Sequence, residues 1–359
     1  MSISVRIRTF CRDNALQVPI VLSPMAGACP VGLSIAVANA GGMGACAGLM
    51  LTPEAISRWV AEFRAGSEGP VQVNLWVPDD PPLRDAGREA AVRRHLAAWG
   101  PEVTEADADT PLIDYEAQFA ALLGSKPDVA SSVMGLFDEA KVRAFKAAGI
   151  RWIATVSTVR DALAAEKAGA DAIAVQGYEA GGHRASFTSR PAEAEAVGLL
   201  SLIPAVVDAV QLPVVATGGI ADGRTIAASL VLGASAVQIG TAFLRTPEAG
   251  ISPVWAEALG VTMPEQTTLT RAFSGRAGRG ITTDYVRASA MPGAPVPAAY
   301  PVQRGMTRAM REVAIKAGDL QRMQAWAGQS AWMARAEPAA EIVARLWRET
   351  TDVLPAGQR

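Results

Sequence analysis

Histidine and cysteine are scarce in this chain, and their scarcity excludes several kinds of site. The 359 residues include only two histidines, His95 and His183, and three cysteines, none of them in Cys-x-x-Cys spacing. Such a set does not supply a zinc centre or a disulfide framework. No second histidine, cysteine or carboxylate completes a hydrolase triad with His183. The odd number of cysteines fits buried thiols in a reducing compartment.

Strong net charge and long apolar runs are missing too. The net charge of −2 gives no bulk field that would attract nucleic acid or an anionic membrane. The most apolar stretch, residues 197–220, is interrupted by Pro204, Asp208, Gln211 and Pro213, so no membrane span is predicted. The N-terminus has no apolar signal-peptide core. We expect a cytoplasmic monomer or homodimer that acts on small molecules.

What is abundant is hydrophobic sequence, half of the chain, arranged in short runs that alternate with helical patterns. Continuous apolar strands are typical of parallel sheets covered on both faces. Eight runs are predicted as strands, at 19–23, 43–47, 71–77, 129–134, 152–156, 172–176, 213–217 and 236–239. They predict a TIM (β/α)8 barrel. A doubly wound open sheet is the alternative, although the first strand leads to SPMAGACP and not to a dinucleotide fingerprint.

The chain contains two regions in addition to the strands and helices of the barrel. We predict the barrel over residues 1–245, with an excursion at about 78–125 that contains PDDPP and a polar helix. Residues 246–359 form a predicted C-terminal extension with a helical cap, whose final helices pack back on the barrel. Three helices are predicted there, at 302–317, 319–335 and 338–350.

Function in such barrels gathers where strands end and the following loops begin. The seventh strand leads to Gly218 and Gly219, and the eighth leads to Gly240 and Thr241. Glycine lets backbone N–H groups approach phosphate oxygens closely, so these two loops predict a phosphate site. Tight turns without a ligand are the alternative.

One histidine stands at the same predicted end. The sixth strand runs into AVQGYEAGGHRASF, residues 174–187, where His183 follows two glycines. Imidazole titrates near ~6.5 and serves as acid, base or hydrogen-bond donor, and the glycines permit a ligand to approach. His95 lies in the polar excursion and is expected to be solvated.

These motifs together resemble the nitronate monooxygenases. The resemblance rests on PIVLSPMAG at 19–27, VNLWVP at 73–78, QGYEAGGHR at 176–184, PVVATGGIADGR at 213–224, VQIGTAFL at 237–244, TTLTRAFSGRAGRGI at 267–281 and WAGQSAWMAR at 326–335. Flavin-dependent enoyl-ACP reductases and NAD(P)H:quinone reductases share the EAGGH element. The resemblance therefore specifies the superfamily more closely than the reaction.

The resemblance implies a barrel that binds FMN without a covalent bond. It implies a flavin surrounded by Met25, Asn74, Gln176, Gly181, Gly218, Gly219, Gln238, Ile239, Gly240 and Thr241. It implies that His183 stands beside the reactive face, where it holds the nitro group or takes the α-proton of a nitroalkane. Family members oxidise alkyl nitronates such as propionate 3-nitronate with O2 to a carbonyl compound and nitrite.

The fourth strand departs from the family pattern. Relatives often carry a second active-site histidine where this chain has Val133, which neither donates a hydrogen bond nor carries charge. We therefore expect a bulkier or less polar substrate. Tyr300, Arg304 and Arg308 follow at i, i+4 and i+8; on one helix face they could hold a carboxylate, and solvated arginines are the alternative.

Two other functions stay open from the sequence. One is a flavin reductase that uses NAD(P)H on a quinone or an enoyl thioester. The other is a barrel that binds FMN or a phosphate without turnover.

Overall fold

A computed structural model describes residues 2–188 and 192–354, and its centre is a parallel eight-stranded barrel. The barrel strands are β1 (Ile20–Leu22), β2 (Gly44–Ala47), β3 (Val71–Trp76), β4 (Val129–Val133), β5 (Arg151–Val156), β6 (Ala172–Gln176), β8 (Val214–Thr217) and β9 (Ala236–Ile239). Their order around the sheet is β1-β9-β8-β6-β5-β4-β3-β2. A parallel bridge between Val21 and Met43 joins β1 to β2 and closes the circle. The predicted TIM barrel is confirmed, and the open sheet is excluded.

The strands form because almost all of their side chains are buried. One face packs inside the barrel and the other packs against helices, so apolar residues continue without alternation. Closure also leaves no unpaired strand edge.

Helices connect the barrel strands and add the cap. They are α1 (Ile3–Asp13), α2 (Val31–Asn39), α3 (Pro53–Gly66), α4 (Ala86–Leu96), α5 (Tyr115–Ser125), α6 (Glu139–Ala148), α7 (Val159–Ala168), α8 (Leu199–Ala209), α9 (Gly223–Val231), α10 (Pro253–Leu259), α11 (Asp284–Ser289), α12 (Val302–Met306), α13 (Arg308–Ala317) and α14 (Ala339–Val353). Side chains cap several of them, including Thr52, Asp138, Thr158 and Asp222. No described helix is long and apolar enough to cross a membrane.

A second, three-stranded sheet lies outside the barrel and was not predicted. It pairs β10 (Thr267–Thr270) with β11 (Gly278–Ile281), and β11 with the two-residue strand β7 (Gly182–His183). The predicted helix at 319–335 is wrong, because this segment runs beside β11. There Ala325 accepts the amide of Ile281, Ala327 donates to Arg279, and only short 3-10 turns remain.

The predicted helix at 302–317 is broken into α12 and α13. The break occurs at Thr307, whose buried hydroxyl donates to the carbonyl of Phe273 at 2.6 Å. Tyr300 precedes the first turn, so the expectation that Tyr300, Arg304 and Arg308 share one helix face is wrong. The excursion and the cap share a hydrophobic cluster that includes Val92, Leu96, Phe273, Tyr285, Met306 and Met310.

The last helix returns to the barrel's outer face, and one glycine sets how closely it packs. A Cβ on Gly223, at the start of α9, would lie 2.4 Å from the carbonyl carbon of Glu349 in α14. The two backbones therefore touch where no side chain fits.

We expect Gly223→Ala to push α14 away from α9 and to lower the free energy of unfolding by about 1–3 kcal/mol, the usual cost of overpacking. Urea unfolding measures the change. Gly124→Ala in α5 is the matched control, since its Cβ would meet no atom within 4 Å and alanine favours helix. Equal stability of Gly223→Ala and wild type would contradict the contact.

Candidate active site

The carboxyl ends of the barrel strands bring most of the sequence-predicted residues to one end of the molecule. Because all eight strands are parallel, these ends meet at the same mouth. Met25 follows β1, Asn74 lies on β3, Val133 ends β4 and Gln176 ends β6. Gly218 and Gly219 follow β8, while Gln238, Ile239, Gly240 and Thr241 occupy the end of β9 and the turn after it.

The loops after β8 and β9 present free backbone donors. Gly218 and Gly219 adopt φ of +115° and +68°, a region that favours glycine. Within the described residues, the amides of Gly218, Gly219, Gly240 and Thr241 donate to no protein acceptor. A Cβ on Gly240 would lie 3.2 Å from Sδ of Met25, so this backbone is packed from behind. Four unpaired amides on two adjacent loops fit the oxygens of a phosphate.

Hydrogen bonds from side chains to the backbone hold the loop between Gln176 and His183. Nε2 of Gln176 donates to the carbonyl of His183, and Oε1 accepts the amide of Ala185, both at 2.9 Å. Both ends of this amide thus brace the loop, a structural role that the sequence did not predict for Gln176. Gly181 allows close packing, because a Cβ there would lie 2.6 Å from the amide nitrogen of Gly328.

Two buried arginines clamp the same loop. Arg184 donates to the carbonyl of Gly177 at 2.5 Å, and Arg279 donates to that of Tyr178 at 3.0 Å. Each is only 2% exposed, and the carboxylate of Glu179 acts on the charge of Arg184. Arg279 also lies over the ring of Tyr178. The loop therefore receives hydrogen bonds from two buried guanidinium groups.

His183 lies at the centre of the mouth, packed between two tryptophans. Its ring makes edge contacts with Trp76 and Trp326, with centroids 5.1 and 5.2 Å away. Nε2 is 2.8 Å from Oγ of Ser274. That hydroxyl accepts the amide of Arg276 at 3.3 Å, which fixes its position. One ring nitrogen is therefore held by the protein, and Nδ1 has no partner among the described residues.

The surroundings of His183 disfavour its protonated form. Removal from water, followed by the positive charges of Arg276, Arg304 and Arg311, lowers the pKa of His183 to about 3. Arg276 is paired with Asp79 at 2.7 Å, whereas Arg311 bonds only neutral oxygens. His183 is thus a neutral imidazole in a cationic chamber, which attracts an anion.

An apolar cluster forms the wall beside His183. Trp76, Met134 and Tyr300 are its buried members, with Leu49 and Val133 packed against them. The rings of Trp76 and Tyr300 stack 5.0 Å apart. The indole Nε1 and the phenol OH are both enclosed without a partner in the described chain. Two buried donors that lack acceptors indicate that a ligand supplies them.

The cap arginines border a cleft of about 300 Å3 next to this cluster. Apolar side chains line it, including Leu49, Met50, Leu112, Ile113 and Ile315, together with Arg304, Arg308 and Arg311. Among the described residues, the side chain of Arg304 bonds to the sulfur of Met50 alone. Arg308 is exposed and lies 3.4 Å from Asp107. Of the three predicted carboxylate ligands, Tyr300 lies in the apolar cluster, Arg304 lies near the chamber and Arg308 lies at the outer rim.

Comparison with known proteins places this geometry in a family. A sequence model described as nitronate monooxygenase matches residues 8–349. Nitronate monooxygenases of Pseudomonas aeruginosa and Paraburkholderia phytofirmans are 37% and 36% identical, over 95% and 92% of this chain and 98% and 92% of theirs. The chain belongs to the nitronate monooxygenase family. It is accordingly an enzyme, a flavin-dependent oxidoreductase.

Solved structures agree with this membership. The nitroalkane oxidase of Streptomyces ansochromogenes superposes with a TM-score of 0.86 at 36% identity, over 94% of this chain and 96% of that one. FabK of Thermotoga maritima superposes less well, with a TM-score of 0.74 at 25% identity over 96% of both chains.

Two residues of this nitronate monooxygenase family site were missed in the sequence. Ser274 lies inside the quoted motif at 267–281, and Trp326 opens the motif at 326–335, so both lie in segments that the resemblance had already marked. Nothing in the sequence paired them with His183, because contacts across β7 and β11 depend on the unpredicted second sheet.

The charge state of His183 gives a test by pH. Unfolded His183 binds a proton below about 6.5, whereas the folded side chain stays neutral down to about 3. Stability is therefore lost as pH falls through this window. The stability of wild type relative to His183→Gln should be lower at pH 5 than at pH 7.5, measured by urea unfolding. His95 is present in both proteins, so its titration does not contribute to the difference in stability between them. A difference that does not change with pH would contradict the depressed pKa.

Proposed function

We propose that this enzyme uses FMN to oxidise an alkyl nitronate with O2, yielding a carbonyl compound and nitrite. The observation that carries the proposal is that His183 is neutral beside Arg276, Arg304 and Arg311, of which only Arg276 has a carboxylate within 4 Å among the described residues. This cationic chamber favours a small anion over a neutral substrate. A nitronate is an anion whose negative charge lies on the two nitro oxygens, which accept hydrogen bonds.

The residues present fit FMN. The free amides of Gly218, Gly219, Gly240 and Thr241 would hold the phosphate, and Asn74 and Gln238 offer amide groups to the edge of the ring. The bound flavin would supply the redox chemistry, accepting electrons from the nitronate before O2 reacts. The protein's contribution is to bind, orient and exclude water.

The low pKa of His183 favours the nitronate over the neutral nitroalkane. A base with a pKa of about 3 is too weak to take the α-proton of a nitroalkane at neutral pH. A neutral imidazole can instead donate a hydrogen bond to a nitro oxygen. This role requires the tautomer in which the Ser274 hydroxyl donates to Nε2 and Nδ1 carries the proton. The buried Nε1 of Trp76 and OH of Tyr300 are further donors for the anion.

Val133 favours a nitronate that carries an alkyl chain. It packs with Trp76, Tyr300 and Leu49, so the wall is apolar except for the two donors on the rings of Trp76 and Tyr300. An alkyl chain is expected to lie along this wall. Arg304, which has no oxygen partner among the described residues, would then meet a carboxylate at the far end of the chain.

A reductase is the second candidate, and the superposition with FabK supports it. In that case NAD(P)H would reduce the flavin, and a quinone or enoyl thioester would reoxidise it. A barrel that binds FMN without turnover is the third possibility. All three make different predictions for the same experiment.

The deciding experiment mixes the flavin-loaded enzyme anaerobically with nitronates, NADH or NADPH and follows the flavin absorbance. We expect rapid bleaching by alkyl nitronates and, in air, O2 uptake with nitrite release. Bleaching by a nicotinamide alone would favour the reductase, and no bleaching by any of them would favour the binding protein.

His183→Ala should retain FMN and lose most nitronate activity, since one donor to the nitro group is removed. His95→Ala is the matched control, because His95 lies on α4 against Tyr285 and outside the chamber. Normal turnover by His183→Ala would refute the catalytic role.

Arg304 is tested by comparing two substrates. Arg304→Met should raise KM for propionate 3-nitronate about tenfold, the loss of one charged hydrogen bond, and leave KM for an uncharged-tail nitronate such as propyl-1-nitronate nearly unchanged. Arg308→Met serves as the control at the exposed rim. An equal rise in KM for both substrates would show that Arg304 does not recognise the carboxylate.

A further inference from the structure

A glutamine buried in the barrel is hydrogen-bonded to another glutamine near the mouth. Gln72 lies on β3 and is fully buried. Its Nε2 donates to the carbonyl of Leu22 on β1 at 2.9 Å and to Oε1 of Gln238 on β9 at 3.2 Å. The neighbours of β3 are β2 and β4, so both bonds cross the inside of the barrel.

Hydrogen-bond chemistry fixes the orientation of both amides. The carbonyl of Leu22 only accepts, so Gln72 must turn its NH2 group toward it. The same NH2 group also donates to the side chain of Gln238, so Gln238 must turn its carbonyl oxygen toward Gln72. The opposite orientation would bring two acceptors together at Leu22. Turning either amide around would place two acceptors or two donors against each other, so the hydrogen-bond network assigns the orientation.

This orientation determines which group of Gln238 is left for a cofactor. With Oε1 engaged, Gln238 has its NH2 group left over, and this group donates to no acceptor in the described chain. It is also absent from the enclosed, unpaired polar atoms, whereas Oε1 of Gln72 is among them. The open donor is thus on Gln238, one residue before the turn that carries Ile239, Gly240 and Thr241.

We propose that Gln72 is a positioning residue, which compels Gln238 to present an N–H donor, and not a carbonyl, to the flavin ring. This proposal rests on the proposed function for the identity of the cofactor. A donor at the ring pairs with a ring carbonyl or an unprotonated ring nitrogen. It stabilises the negative charge that reduction adds, because hydrogen bonds to charged groups are the stronger ones.

A double-mutant cycle tests the relay, with the FMN dissociation constant and the flavin reduction potential as readouts. Gln72→Met and Gln238→Met should each raise the dissociation constant about five- to tenfold, the loss of one hydrogen bond, and lower the potential. The double variant should be no worse than Gln238→Met alone, because Gln72 acts through Gln238. Additive effects, or an unchanged Gln72→Met, would overturn the proposal.

Gln118→Met is the matched control for general loosening. Gln118 is also a buried glutamine whose Nε2 donates to two backbone carbonyls, those of Gly48 and Leu51, at 2.9 and 2.8 Å, yet it does not touch Gln238. Its replacement should leave the reduction potential unchanged. A shift equal to that of Gln72→Met would assign both effects to the scaffold and overturn the relay.

An experiment without flavin distinguishes failure of the relay from failure of the proposed function. If the wild-type protein binds no flavin, the side-chain amide protons of Gln72 still report on the bond by NMR hydrogen exchange in the free protein. One of them should exchange slowly in wild type and faster in Gln238→Met. Equal exchange in the two proteins would overturn the relay independently of any cofactor.

Discussion

The pairing of a two-residue strand with an outlying sheet is the constraint on which the site depends. Gly182 and His183 pair with Gly278 and Arg279, and this short ladder brings His183 against Ser274 and between Trp76 and Trp326. A flexible glycine loop at the end of β6 would otherwise leave the imidazole without a fixed direction. The buried guanidinium groups of Arg184 and Arg279 donate to the loop's carbonyls. The loop contacts therefore supply rigidity, whereas the positive charge that acts on His183 comes from Arg276, Arg304 and Arg311.

Uncompensated charge costs stability, and the chain concentrates it near one chamber. Buried cations without carboxylate partners are unfavourable in the absence of an anion, and the protonated form of His183 is correspondingly suppressed. An anionic ligand would relieve both effects at once. Functional sites commonly store such unfavourable arrangements. The enclosed donors on Trp76 and Tyr300, which have no partner in the described chain, are a further example.

The sequence predicted the barrel well because each strand carries its own signal. Unbroken apolar runs such as 172–176 and 236–239 coincide with β6 and β9, and parallel strands necessarily collect their carboxyl ends. The cap was predicted less well. Residues 319–335 have helical composition but pair with β11, and a tertiary partner that is distant in sequence overrides local preference. The same limit explains why Ser274 was missed beside His183, and why the hydrogen bonds of the Gln176 amide to the loop backbone were not predicted.

The polar side chains of the mouth divide into those that hold the protein and those left open for a ligand. The NH2 groups of Gln176 and Gln72 donate to backbone or side-chain acceptors, whereas the NH2 group of Gln238 has no acceptor in the described chain. Val133 contributes no polar group to its cluster with Trp76 and Tyr300, so recognition of the substrate's charged end must come from His183, the arginines and the free donors of those two rings. The site therefore combines a few donors and cations with an otherwise apolar surface. An alkyl nitronate has the same division, with its charge confined to the nitro end and a hydrocarbon chain behind it.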